Sequence, residues 1–522
     1  MSLSLSHSGL QLRRRVTRAR IIPNPLRDEA RDGVFRSAAV AISGDEGTAF
    51  AADLIAKGFG AAGVDAFPST GTADIVLVVD DTLPLGPEGY RLDIQPHRIS
   101  IVGTTAVGVV YGAQSLLQLL PQEAGGQVEI ECRSVEDRPR FAWRGLMLDV
   151  SRHFMPLPFL RKIVDLLALH KMNTLHLHLT DDQGWRMEIK KYPLLTEVGG
   201  RRDKTLVGHL TESREAPVYD DVPHEGWYTQ DELRDLVAYA AERGVTIVPE
   251  IEMPGHAQAA IAAYPELGVH GDSVDVCPTW GIIEHIFNPF ESTLEFLQDV
   301  LTEVMDVFPS KFIHIGGDEA VKKQWKTSEK VQARIRELGL HDEDEMQAYI
   351  VGRMSEFLAA NDRRLIGWDE IIEGGLAKNA AVMSWRGESG GLTAAMEGHD
   401  VVMAPVGFTY LDLYQTDNPD GEPVAQGGYL PLDRVYQYEP IPAGLSADKA
   451  FHVLGTQAQL WTEYMPESDH VEYMAFPRLS ALAEVAWSDP GRRDWADFVE
   501  RLIPLLSRFD TMQVKYRTLA AK

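Results

Sequence analysis

The chain has 522 residues, 44% of them hydrophobic and 24% charged, with a formal net charge of −27. That length exceeds one ordinary core, so two or more domains are expected. The acidic balance argues against nucleic acid and anionic membrane surfaces, which need a basic face, and leaves neutral substrates such as sugars open. Two cysteines far apart in sequence, Cys132 and Cys277, supply neither a disulfide framework nor a cysteine zinc site, and no apolar run reaches membrane-spanning length.

In chain order, residues 1–20 read as a basic, disordered tail carrying Arg13-Arg14-Arg15, Arg18 and Arg20. The tail lacks the apolar stretch of a secretory leader, so the expectation is a cytoplasmic protein, or a secreted one if the start is misassigned. Residues 21–138 read as a small α+β domain. Residues 73–79 form a strand candidate. Residues 90–94 and 99–102 alternate around Pro96-His97 as a hairpin does, and residues 107–120 carry apolar residues at helical spacing up to Pro121. No paired catalytic groups occur here, and a supporting or docking role is expected.

From residue 139 to 522 short apolar runs alternate with amphipathic helical stretches. Strands are expected at 145–150, 174–179, 245–251, 312–315, 365–368, 381–385, 401–404 and 452–457, with helices such as 159–169, 230–243 and 345–360 between them. Eight strands with helical connections predict an α/β fold, a (β/α)₈ TIM barrel preceded by the α+β domain, with C-terminal helices. The active site of such a barrel lies at the C-terminal ends of its strands.

Those ends are polar or aromatic almost without exception. The first leads into Asp149 to His153, with Arg152 among them, and the second into His176-Leu177-His178-Leu179-Thr180-Asp181-Asp182. The third leads into Glu250-Ile251-Glu252-Met253-Pro254-Gly255-His256 and the fourth into Gly316-Gly317-Asp318-Glu319. The fifth ends at Trp368, the sixth at Trp385, the seventh near Tyr410-Leu411-Asp412 and the eighth at Trp461-Thr462-Glu463. A strand-end Trp is often a core plug and a strand-end Asp often a helix cap, but one shared pocket accounts for all eight. Adjacent carboxylates cannot both ionise cheaply, so one keeps a proton near pH 7 and can act as a general acid. Flat aromatic walls suit the C–H faces of a pyranose, and Arg152, Asp412 and Glu463 suit its hydroxyls. No glycine-rich phosphate loop follows a strand. His176 and His178 read either as a metal pair, with Asp181, His256 and Asp318 as further ligands, or as barrel-core histidines; His256 with Asp181 reads as a pair that orients the catalytic carboxyl.

The strings Arg144 to Phe154, His176 to Asp182, Met253 to His256, His314 to Glu319 and Trp461 to Tyr464 resemble the β-N-acetylhexosaminidases of glycoside hydrolase family 20, in order and spacing, across roughly residues 139–487. The preceding domain, with Tyr90-Arg91-Leu92 and Tyr111 to Leu120, looks like that family's N-terminal domain. The resemblance implies exo-acting, retaining hydrolysis of a terminal N-acetyl-β-D-hexosamine (GlcNAc, with GalNAc open), in which the 2-acetamido group attacks its own anomeric carbon. It implies Glu319 as general acid and then base, Asp318 on the acetamide N–H and Tyr410 on the acetamide oxygen. Trp368, Trp385 and Trp461 would be walls, and Arg152, Asp412 and Glu463 hydroxyl ligands. Asp181 and His256 complete the expected substrate site. No cofactor and no metal is implied. The expected partner is a small oligosaccharide or glycoside, whether chitin fragment, cell-wall fragment or glycan, and pairing into a homodimer is open. Alternatives are a lacto-N-biosidase-like relative and an inactive carbohydrate-binding protein. Residues 206–227 depart from the pattern as a long loop of weak periodicity.

Overall fold

The computed structural model describes residues 20–122, 125–213 and 216–519. The tail expected over residues 1–20 lies outside them except for Arg20. The chain forms two compact units, one reaching to Asp137 and the other from Arg138 onward, with Ile22–Asn24 belonging to the second.

The first unit is built on a seven-stranded sheet whose strands run, edge to edge, Arg27–Ser37, Val128–Asp137, Tyr90–Gln95, Arg98–Gly103, Ile75–Val79, Ala39–Gly44 and Asp65–Pro68. Gln95 pairs with Arg98, which leaves Pro96-His97 as the two-residue turn of an antiparallel hairpin. Along its first strand Tyr90, Leu92 and Ile94 are buried while Arg91 and Asp93 are not, the period-2 pattern of a sheet with one covered face. Helix Ala106–Leu119 begins where the Thr105 side chain accepts the Gly108 N–H, and Pro121 cannot continue it.

The second unit is a closed barrel of eight parallel strands: β1 Trp143–Asp149, β2 Thr174–His178, β3 Thr246–Glu250, β4 Phe312–His314, β5 Arg364–Trp368, β6 Ala381–Ser384, β7 Val401–Met403 and β8 Val453–Leu460. Each is one of the eight expected segments. Strand β8 runs three residues further than expected, pairing Ala458, Gln459 and Leu460 with Leu146, Met147 and Leu148. Its glutamines interrupt the apolar pattern because they point into a polar lumen, where Gln457 Nε2 lies 3.0 Å from His176 Nδ1.

Strand residues on the outer face, such as Leu175, Leu177, Ile247, Ile313 and Val382, pack with the helices into the main core. Residues on the inner face, including Trp143, Val248, Ile366, Trp368 and Met383, fill the lumen as a second cluster. The helices start on capping signals legible in sequence. Helix α1, Gln230–Glu242, opens on a reciprocal Thr229–Glu232 capping box, and helix α2, Glu343–Ala360, on Asp342, which accepts from the N–H groups of Asp344 and Glu345. The segment read as a weakly periodic loop is a folded excursion. Arg201–Arg202 pairs with His224–Glu225, Leu206 bridges Tyr219, and Leu210–Ser213 forms one helical turn.

Candidate active site

The turn after the fourth strand carries two of the site's carboxylates, Asp318 and Glu319. After His314 and Ile315 the chain turns through Gly316 (φ 64°) and Gly317 (φ 96°). A Cβ on Gly316 would stand 1.7 Å from a carboxylate oxygen of Glu252, so backbone and space both demand glycine there. Glu319 follows at φ 47° and His256 sits at φ 49°; non-glycine residues held in this region store about 1–3 kcal/mol of strain each, usually at functional positions. The turn delivers Asp318, buried, and Glu319, whose side chain is 31% exposed, to one pocket.

That pocket holds about 210 Å³ and is lined by Arg152, His256, Asp318, Glu319, Trp385, Tyr410, Asp412, Trp461 and Glu463, together with Val406, Leu413 and Gln426. Nine of the eleven residues singled out in sequence therefore meet there. The other two lie beneath. Asp181 is 1% exposed and spends its oxygens on Arg152 Nη2 (2.8 Å), His178 Nε2 (2.7 Å) and His256 Nδ1 (3.2 Å). The tight pairing of Thr180–Asp181 with Gly184–Trp185 accompanies this inward position. Trp368 is 1% exposed, and its indole N–H donates to Glu250 Oε1 at 2.9 Å. Its ring lies beside that of the pocket residue Trp461, with centroids 5.8 Å apart. Asp181 and Trp368, expected in the substrate site, are thus not among the residues lining this pocket but lie buried beneath it.

Charge in the pocket is steeply organised. Burial pushes the Asp318 carboxyl up to about 6; cationic His256 works against that, and the nearby Glu250 and Glu319 carboxylates add to it. Burial draws the His256 pKa down, but Asp181 beside it more than offsets this and holds the ring well above its ordinary value. Its Nδ1–H donates to Asp182 Oδ2 at 3.1 Å, while Nε2 faces Glu319 Oε2 at 3.6 Å and Asp318 Oδ2 at 3.8 Å. His256 is thus an imidazolium set between two acidic pairs, and Asp182 joins Asp181 as its anchor. Burial keeps the Tyr410 phenol well above its usual range, so it remains a donor; its ring stacks near Trp385 at 6.2 Å.

On the other wall, burial and then the neighbouring Glu463 raise the Asp412 carboxyl well above its ordinary value, and burial raises Glu463 although Arg152 opposes it. Arg152 lies over the Trp461 ring at 4.9 Å and donates from Nε to Gln183 Oε1 at 3.0 Å.

Below this layer the lumen carries a second polar knot. Glu250 accepts from His178 Nδ1 at 2.5 Å, and its carboxylate oxygens lie 2.8 Å from His314 Nδ1 and 3.1 Å from His176 Nε2. Burial opposes charge on His178, but Glu250 and Asp181 raise it to about 10, whereas burial lowers His176 to about 4. Three groups could in principle hold a metal: His176, Glu250 and His314; His178, Glu250 and Glu252; and Asp181, Asp182 and His256. Two of them include an imidazolium, His178 or His256, which has no lone pair to offer, and in the third Glu250 already meets His176, His314 and the Trp368 N–H. The donor set fits a hydrogen-bonded core better than a cation.

Two acidic groups were left without a role in sequence. Glu370 accepts the Trp385 indole N–H at 2.8 Å and is raised to about 8 by burial and then by Asp318; the signal was its place two residues after a strand-end tryptophan. Glu252 is buried with neither carboxyl oxygen hydrogen-bonded among the described residues, and burial followed by Asp318 holds its pKa well above normal. Val406, which opens a short helical turn, Val406–Thr409, and Leu413 and Gln426, which come from loops, carried no sequence signal.

Comparison with known proteins gives a consistent family. Residues 141–490 match the model "Glycosyl hydrolase family 20, catalytic domain" and residues 18–138 match "Glycosyl hydrolase family 20, domain 2". A protein named beta-hexosaminidase from Porphyromonas gingivalis is 46% identical over 450 residues, which cover 85% of this chain and 56% of that one, so the chain spans little more than half the length of this relative. Another beta-hexosaminidase, from Vibrio furnissii, is 39% identical over 417 residues, 79% of this chain and 67% of the relative. The crystal structure of a family 20 exo beta-N-acetylglucosaminidase from Vibrio harveyi, in complex with N-acetylglucosamine, superposes with a TM-score of 0.86 at 32% identity, covering 96% of this chain and 78% of that one.

Proposed function

The chain belongs to glycosyl hydrolase family 20, and from that premise we propose that it is an exo-acting β-N-acetylhexosaminidase that releases a terminal N-acetyl-β-D-hexosamine with retention of configuration. The observation that carries the reading is the convergence of Asp318, Glu319 and Tyr410 on one small pocket whose opposite wall is Arg152, Asp412 and Glu463. Catalysis would use the substrate's own acetamide as nucleophile. Its carbonyl oxygen attacks C1 while Glu319 protonates the departing glycosidic oxygen, which leaves a cyclic oxazolinium ion on the sugar. Asp318 accepts the acetamide N–H and offsets the positive charge, and the Tyr410 hydroxyl steers the attacking oxygen. Glu319, now a carboxylate, takes a proton from water as that water adds to C1 and reopens the ring. An internal nucleophile held in line has an effective molarity on the order of 10⁵ M or more, so the protein's task is chiefly orientation and charge.

A pocket of about 210 Å³ closed by charged side chains favours one sugar ring over two, which supports monosaccharide release over the disaccharide-releasing alternative. The test is hydrolysis of an aryl N-acetyl-β-D-glucosaminide by the wild type, Glu319→Gln and Asp318→Asn, with the anomer of the first product read by NMR. Each variant should lose roughly 10²–10⁴-fold in kcat/KM, and the product should form as the β-anomer. Near-normal rates in both variants, or inversion, would discard the reading.

A further inference from the structure

The folded excursion after β2 does more than fill the rim. The His209 ring lies flat against the Tyr464 ring, centroids 5.0 Å apart and 10° from parallel. Its Nδ1 accepts from the Thr211 hydroxyl at 2.6 Å, which leaves the proton on Nε2, 3.3 Å from the Gln426 carbonyl oxygen. The Leu210 N–H donates to the Tyr464 hydroxyl at 3.2 Å, and at the base of the excursion the Leu206 N–H donates to the Pro278 carbonyl at 2.9 Å. Gln426 and Tyr464 belong to two different rim loops. Gln426 lines the pocket and its N–H donates to the Asp412 carbonyl at 3.1 Å; Tyr464 directly follows Glu463. One short tip therefore grips the chain beside each of the two carboxylates of the hydroxyl-facing wall.

Those carboxylates need such a tie. They are neighbouring carboxyl groups in a buried wall, Asp412 Oδ1 has no hydrogen-bond partner among the described residues, and Arg152 is already committed to Asp181 and Asp149. We propose that His209, with Leu210, is a specificity-determining brace that locks the Asp412 loop to the Glu463 loop and so keeps the blind end of the pocket one sugar deep. It is a positioning residue, acting through the two carboxylates and touching no reacting atom. The proposal rests on the reading above that Asp412 and Glu463 hold ring hydroxyls remote from C1.

The test compares the wild type, His209→Ala and His209→Phe on aryl N-acetyl-β-D-glucosaminides, on their 3-deoxy and 4-deoxy analogues, and on aryl glycosides of a disaccharide. Melting curves confirm folding of this partly exposed tip. In the wild type, loss of a gripped hydroxyl should raise KM. In His209→Ala, KM for the parent should rise about tenfold, the equivalent of one stack and one hydrogen bond, with kcat within about twofold. The penalty for the deoxy analogue should largely vanish, and the disaccharide glycoside should gain relative to the parent. His209→Phe, which keeps the stack, should stay near wild type. A folded His209→Ala enzyme that discriminates against the deoxy analogues as strongly as the wild type overturns the brace, as does a loss confined to kcat or a His209→Phe variant as impaired as His209→Ala. A wild type that turns over no N-acetylhexosaminide overturns the proposed function instead, and the brace with it.

Discussion

Asp318 is the side chain on which the chemistry and the stability of the site pull in opposite directions. Its folded-state pKa of about 6 lies above the ordinary 3.8. The folded protein therefore binds that proton more tightly than the unfolded chain, so stability declines as pH rises from 3.8 to about 6 and stays lower above it. The shift corresponds to about 3 kcal/mol. Asp318→Asn should accordingly melt higher than the wild type at pH 7.5, with the difference disappearing near pH 4; calorimetry at the two pH values checks this. Catalysis needs the ionised form, so kcat/KM of the wild type should fall as pH drops through about 6, and the residual activity of Asp318→Asn should lack that limb. Storing such cost at a working residue is the usual trade of stability for activity. The left-handed backbone of Glu319 and His256 is a second deposit of the same kind.

At the scale of elements, the junction of β4 with the Gly316-Gly317 turn is where strand geometry becomes site geometry. Two glycines with left-handed φ make a clean comparison. Gly339 (φ 72°) has nothing within 4 Å of an added Cβ, whereas Gly316 (φ 64°) has the Glu252 carboxylate in that place. Gly339→Ala should cost about 1 kcal/mol of backbone strain. Gly316→Ala should cost well beyond that, above about 3 kcal/mol, or fail to fold, because a buried carboxyl must move as well; urea denaturation of the two variants separates the terms. The knot inside the strands makes its own prediction. Glu250 is the common partner of His178, His314 and the Trp368 indole. Glu250→Ala strands an imidazolium and an indole N–H in the lumen and should cost about 3–5 kcal/mol, while Glu250→Gln, which keeps an acceptor, should cost less.

At the scale of the whole molecule, one barrel sums contributions from distant parts of the chain. Strand β8 pairs Leu460 with Leu148 of β1 across more than 300 residues of sequence, and the pocket forms only once that ladder is closed. Its polar interior is tied together by hydrogen bonds between histidines and carboxylates. Dialysis against excess chelator should leave both kcat/KM and the melting temperature unchanged; a fall in either that added metal restores would contradict the assignment of His178 and His256 as imidazolium ions.

Much of this was legible in the sequence for definite physical reasons. Parallel strands buried on both faces must be short apolar runs, so all eight barrel strands stood out, and capping pairs such as Thr229 with Glu232 marked where helices begin. Polar residues recurring at the ends of nearly all the apolar strands point to one shared barrel mouth, which is why Asp318, Glu319, Arg152 and Glu463 could be named in advance. Tertiary structure decided what spacing cannot encode. Depth is one such quantity: Asp181 and Trp368 sit at strand ends like the others, yet side-chain direction buries them a layer below the pocket. Partnership is another, since His256 turns to Asp182 as well as Asp181 and Glu370 pairs with Trp385 only once separate strands are side by side. The charge states follow from both, because a carboxyl's pKa depends on the water it has lost and the charges it meets, and neither exists until the chain has closed.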